Sequence, residues 1–146
     1  MTERTSSTIT IAAAPAEIMA VIADLASYPE WTGSVKSVDI LSRSEQNAKR
    51  PAQATFVLDA GAIKDTYTLE YTWHDDSDVT WTLVQAHMLT AMDGAYRLTK
   101  TPDGETAVEY ELTLELKIPM IGLLRRKAEK VVTDTALKEL KKRVEG

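Results

Sequence analysis

The chain contains no cysteine. That excludes disulfides, thiolate metal sites and a cysteine nucleophile. Its two histidines, His74 and His87, are too few to build a transition-metal site by themselves. No phosphate-cradling glycine loop, Ser-His-Asp arrangement or metal-ligand spacing occurs, so no cofactor and no metal are expected. No apolar run approaches the roughly 20 residues needed to span a bilayer. The opening residues lack the charged-then-apolar order of a signal peptide, so a cytoplasmic protein with no integral membrane segment is expected. An excess of positive charge is missing as well. The net charge of -5 works against non-specific nucleic-acid binding, and no nucleic-acid partner is expected.

What is present is a globular composition, with 44% hydrophobic and 27% charged residues in 146. That length suits one domain with one sizeable core, spanning residues 1–146. The longest uninterrupted element comes last. Residues 121–144 carry no glycine or proline after Gly122. Leu124, Ala128, Val131, Val132, Thr135, Leu140 and Val144 recur at helical steps. Basic residues and Glu129 fill many of the other positions. The middle of the apolar stripe is small, at Ala128, Thr135 and Ala136. Such a helix needs a large partner surface from the rest of the chain.

That surface reads as a sheet. Residues 5–12 alternate and form a first strand. Pro15 opens a short helix through Asp24, with Ile18, Val21, Ile22 and Leu25 on one face. Tyr28 precedes a proline, which disfavours helical geometry there. A second helical turn starts at Pro29 and closes at Gly33. Strands are then expected at residues 35–42, 52–58, 63–74, 79–84, 90–101 and 106–118. The run Asp75-Asp76-Ser77-Asp78 and the run Pro102-Asp103-Gly104 mark turns. A bulge or loop is expected over residues 85–89. Short connections between successive strands imply antiparallel pairing. One face alternates apolar, and the long helix must cover it.

Several short motifs stand in an order that resembles a known family. Asp24 ends the early helix and is followed by Tyr28, Pro29 and Trp31. Gly94, Tyr96 and Leu98 stand at alternate positions of one strand. Residues 108–116 lead through Ile118 and Pro119 to a Leu-Arg-Arg helix. Together they resemble the START-like (SRPBCC) polyketide cyclase/dehydrase family, in particular its actinobacterial members. The resemblance covers nearly the whole chain. It implies an α+β helix-grip fold: a seven-stranded curved antiparallel sheet wrapped around a long C-terminal helix, with two short helices after the first strand. It also implies a cavity between sheet and helix.

The residues expected to line that cavity follow from strand parity. Tyr67, Tyr71, Tyr96 and Tyr110 face inward as a set, and buried hydroxyls want partners. Phe56, Leu69, Trp81 and Met92 share the inward face. On the helix side the expected residues are Met120, Leu124, Ala128, Val131 and Thr135, with Met120 and Leu123 as a gate or a hydrophobic staple. Trp73 and Trp81 are expected to pack across a hairpin. Asp93, Arg97, Glu109 and Glu111 take the outward parity, and Asp24 a helix-end role. His74 is expected outward and structural. His87 is a weak candidate for a catalytic base at the cavity mouth. The leading expectation is binding of a hydrophobic small molecule: a lipid, an isoprenoid or a polyketide-like aromatic. The alternatives are a polyketide cyclase or dehydratase using the tyrosines and His87, and an interaction module using the basic helix face on a partner or in peripheral contact with an anionic membrane. A monomer or homodimer fits either.

Overall fold

A computed structural model describes residues 4–47, 50–59, 64–118 and 122–146. The element order is β1 (Thr5–Ile11), α1 (Pro15–Ala23), a 3-10 turn (Leu25–Ser27), α2 (Tyr28–Trp31), β2 (Val35–Arg43), β3 (Pro51–Asp59), β4 (Lys64–His74), β5 (Asp78–Gln85), β6 (Leu89–Lys100), β7 (Thr106–Leu116) and α3 (Gly122–Glu145). The seven strands form one antiparallel sheet in the order β1-β7-β6-β5-β4-β3-β2. Each hairpin places chain neighbours side by side, and β1 closes the far edge against β7. The helix-grip architecture expected from the sequence is therefore present.

The early helices follow from local chemistry. Pro15 sits at the start of α1, where its missing N–H costs nothing. Ile18, Met19, Ile22 and Ala23 are buried, and the helix packs on α3. Asp24 ends it and accepts a hydrogen bond from Ser27 Oγ at 2.7 Å. Tyr28 departs from expectation: its φ and ψ of -52° and -41° are helical despite the following proline. Tyr28 opens α2 and Pro29 is second, where a backbone N–H has no intrahelical acceptor. The Tyr28 hydroxyl also donates to Ile22 O at 2.5 Å, which holds the residue in place.

The long helix lies against β1 and β7, one side of the sheet, rather than over its middle. Its buried residues are Glu129, Thr133, Leu137 and Leu140. This corrects part of the apolar stripe read from the sequence, of which Leu140 is buried and Ala128, Val132 and Val144 pack against the core. Leu124 and Val131 are 53% and 59% exposed, whereas Glu129 is fully buried. Glu129 Oε1 accepts from Thr5 Oγ1 at 2.6 Å and Oε2 from Leu114 N at 2.6 Å. Beside it, Ser7 Oγ donates to Asp134 Oδ1 at 2.7 Å, accepts from Lys130 Nζ at 2.8 Å and lies 2.8 Å from Thr133 Oγ1. Polar bonds, with Leu137 and Leu140, join the helix to the sheet.

Two irregularities shape the other side. β4 and β5 slip register between Thr68 and Leu69, which leaves Val84 as a bulge. β5 and β6 pair only from Asp78↔Arg97 to Trp81↔Gly94. Beyond that pair, Leu83 N donates to the Asp93 side chain at 3.2 Å instead. The following loop is held by the buried Asp65, whose carboxylate accepts from the backbone N–H groups of Thr66, His87, Met88 and Leu89 at 2.7–3.1 Å. Burial alone would push this carboxyl up; the N–H groups outweigh it and hold it below its ordinary 3.8.

Asp65→Asn replaces one accepting oxygen with a donor that faces other donors. We predict a loss of about 1–3 kcal/mol in urea denaturation at neutral pH. The lowered value means that Asp65 stabilises the fold above its unfolded-state value and loses that contribution as pH falls through the folded one. The variant therefore shows a shallower acid limb than the parent below about pH 4. Equal stability and equal acid limbs would rule out this role.

Candidate functional site

Strand register assembles an aromatic ladder across the concave face. Phe56 stands opposite Tyr67, and their rings stack with centroids 5.3 Å apart. Tyr71 stands opposite Trp81 at 5.9 Å, and Tyr96 opposite Tyr110 at 4.6 Å. Trp81 joins the two pairs, 5.5 Å from Tyr96 and 5.6 Å from Tyr110. The indole fits because its partner in β6 is Gly94. A Cβ there would stand 2.7 Å from Trp81 Cε2 and 2.7 Å from Glu111 O. The glycine of the Gly-x-Tyr-x-Leu strand thus has a steric reason.

Between this ladder and α3 lies a cavity of about 380 Å³. That is within the roughly 300–1,000 Å³ of small-molecule sites. Of the residues expected from the sequence, Phe56, Tyr67, Leu69, Tyr71, Trp81, Met92, Tyr96, Tyr110, Val131 and Thr135 line it. Leu124 and Ala128 do not, because the helix is rotated to bury Glu129 and Thr133. Met120 lies outside the described residues. Leu123 is 75% exposed and staples nothing in the core. His87 is exposed, away from the lining, and its backbone serves the Asp65 loop. That placement removes the geometric basis for reading His87 as a base at the cavity mouth.

Sequence reasoning missed one side of the mouth. Tyr28, Trp31, Thr32, Gly33, Ser34 and Val35 form it, facing Val132, Ala136 and Glu139 of α3. The Tyr-Pro-x-Trp motif was the available signal: three residues apart on α2, the Tyr28 and Trp31 rings meet at 4.9 Å. Glu139 is an inward carboxylate absent from the expected set, and its Oε2 accepts from Gly33 N at 3.0 Å. The expected Trp73–Trp81 pair does not form. Trp73 stands opposite Val79, stacks on Tyr71 at 5.5 Å, and lies under Arg50 at 5.1 Å. Asp93 faces outward as expected; Arg97 likewise, paired there with Glu109 at 3.5 Å and Glu111 at 2.5 Å. His74 is exposed, bonded to Asp78 Oδ1 at 2.6 Å.

The cavity is rich in unanswered donors. Trp31 Nε1, Thr32 Oγ1 and Trp81 Nε1 are buried without a hydrogen-bond partner, and all three residues line the cavity. Among the described residues, the hydroxyls of Tyr67, Tyr71, Tyr96 and Tyr110 also have no hydrogen bond. Burial pushes these tyrosines above their ordinary 10.0, and for Tyr67, Tyr71 and Tyr96 neighbouring groups add to it. They stay protonated at neutral pH and act as donors, not bases.

A curved sheet gripping a C-terminal helix over an aromatic cavity defines the START-like class of fold. The family model described as polyketide cyclase / dehydrase and lipid transport matches residues 11–141, and the chain belongs to that family. No curated protein matches it. Among solved structures, a START superfamily protein from Mycobacterium smegmatis is similar with a TM-score of 0.89 at 22% identity, over 97% of each chain. A Thermus thermophilus protein follows at 0.78 and 23%, again over 97% of each. The Zhui aromatase/cyclase from a Streptomyces species reaches 0.73 at 15%, over 98% of this chain and 93% of its own. At such identities the likeness concerns the fold. Within the described residues no helix is long and apolar enough to cross a membrane.

Gly94→Ala tests the packing of the ladder. The added methyl meets the indole and a strand carbonyl, so we predict a loss of about 1–3 kcal/mol in thermal or urea unfolding. Trp81 fluorescence shifts with it. An unchanged stability and spectrum would show that Trp81 has room to spare.

Proposed function

We propose that the chain binds an apolar small molecule bearing hydrogen-bond-accepting oxygens, held between the aromatic ladder and α3. The lipid, isoprenoid and polyketide-like classes all present apolar surface; the donors favour those with carbonyl or hydroxyl oxygens. The observation that carries this reading is a mismatch in the cavity wall. It is mostly apolar and aromatic, yet the buried N–H of Trp81, the N–H of Trp31 and the hydroxyl of Thr32 lack acceptors. A buried unpaired donor costs about 1–3 kcal/mol. An oxygenated ligand removes that cost while burying its own apolar area.

A second reading draws on one further feature. Glu139 puts a carboxylate on the cavity wall, the position from which a cyclase base would act. The aromatase/cyclase neighbour makes that chemistry worth testing here. The assay offers a poly-β-ketone thioester mimic and seeks a ring-closed product lighter by one water. Formation that survives Glu139→Gln removes the assigned base.

The binding reading is tested with matched probes, anthracene and 9,10-anthraquinone, followed by quenching of tryptophan fluorescence. Both rings present similar apolar area, and only the quinone carries acceptors. We expect the quinone to bind more tightly by about fivefold or more, in line with about 1 kcal/mol per net hydrogen bond. Trp81→Phe reduces that preference and leaves anthracene binding nearly unchanged. Absence of binding by either probe counts against a ligand cavity. Equal binding of both, unaffected by Trp81→Phe, counts against a role for the donors.

A further inference from the structure

We propose that the start of α3 and the adjoining strand ends form a docking surface for an anionic lipid bilayer, from which the cavity is loaded or into which it is emptied. Ile118, Leu123 and Leu124 are 65%, 75% and 53% exposed. Met88 is exposed beside them, its carbonyl accepting from Lys117 N at 2.8 Å. Large apolar side chains exposed singly are ordinary. Here they gather at one end of the sheet, where β6 begins, β7 ends and α3 begins. Leu124 is one turn-pair before Val131 on the helix, and the exposed Val131 lines the cavity. The apolar surface therefore leads along α3 to the cavity wall.

Charge identifies the partner. The whole chain is acidic, with a net charge of -5. This end of it is not. Lys117, Arg126 and Lys127 are exposed and have no ion pair among the described residues. Arg125 takes up Glu115 at 3.4 Å, and the buried Glu129 is engaged with Thr5 and Leu114. Exposed leucines flanked by unpaired cations match the interface of an anionic membrane, where apolar side chains enter the acyl boundary and basic ones meet phosphates. A second copy docking through this same patch would bring two basic clusters close together, which opposes that contact. The proposal adds a membrane to the cavity and fails separately from the binding reading.

The test uses the full chain and co-sedimentation with vesicles of phosphatidylcholine, alone or with phosphatidylglycerol. We expect binding to the anionic vesicles that weakens at high salt. The double variant Leu123→Ser, Leu124→Ser and the double variant Arg126→Glu, Lys127→Glu each lower vesicle affinity by about tenfold or more, which corresponds to about 1.4 kcal/mol. These side chains are exposed, so melting temperature and anthraquinone binding without vesicles stay as in the parent. Three results overturn the proposal: no sedimentation with anionic vesicles, equal sedimentation with both vesicle types, or undiminished binding by the variants. A parent dimer in analytical ultracentrifugation that Leu123→Ser, Leu124→Ser dissociates also overturns it, since a second copy then covers the patch.

Discussion

The buried carboxylate of Glu129 sets where the long helix sits. Among the described residues, β1 faces β7 as far as Thr5↔Leu112. Two residues further along β7, Leu114 N donates to Glu129 Oε2 at 2.6 Å. The helix side chain thus bonds directly to the backbone of the sheet. An uncompensated buried charge costs several kcal/mol, so this one tolerates its position only while both oxygens keep their donors. Thr5 Oγ1 supplies the other at 2.6 Å. Directional bonds of this kind specify where the helix sits along and across the sheet edge, which apolar contact alone specifies loosely.

The cavity follows from that placement. With α3 held over β1 and β7, the concave face of the middle strands has no helix pressed onto it. Aromatic side chains cover it instead, and α2 with the following loop closes one side. Gly94 lets Trp81 lie flat in the centre, so the ladder stays close to the sheet rather than filling the space above it. On α3 the residues turned to that space are Val131, Val132, Thr135 and Ala136, none longer than valine, and Glu139 stands at the end of the row. A larger apolar side chain at Thr135 or Ala136 would occupy volume that the strands leave open.

Alternation made the strands legible to within a residue or two, because one face of nearly every strand is apolar and the other mostly polar. It also placed the four inward tyrosines. The helix was legible as an element but not in its rotation. A period count follows apolar residues and treats Glu129 and Thr133 as solvent-facing, whereas tertiary hydrogen bonds bury both. Leu137, which is buried, went unnoticed for the same reason: it lies on the polar-looking stripe. Periodicity did not reveal the mouth because most of its residues lie in a four-residue helix and the loop after it, too short to show a repeat. His87 drew notice as one of two histidines, but the chemistry of its loop belongs to Asp65, a strand aspartate that composition gives no reason to single out.

α3 departs from the usual amphipathic pattern at a few positions. Toward the protein it presents a carboxylate and a threonine as well as leucines; at its start Leu123 and Leu124 are exposed among the basic residues, and the exposed Val131 borders the cavity. A surface helix stabilised only by packing would gain by exchanging these sets, since each large apolar side chain it buries contributes about 1.5–3 kcal/mol. The polar bonds to β1 and β7 compensate the inner half of the departure. Nothing within the described chain compensates the outer half. The exposed leucines and valine keep their apolar surface in contact with water, and that cost is relieved only when something apolar lies against them. The helix is therefore built to be held by polar bonds on one side while offering apolar surface on the other, beside a cavity whose own wall is apolar.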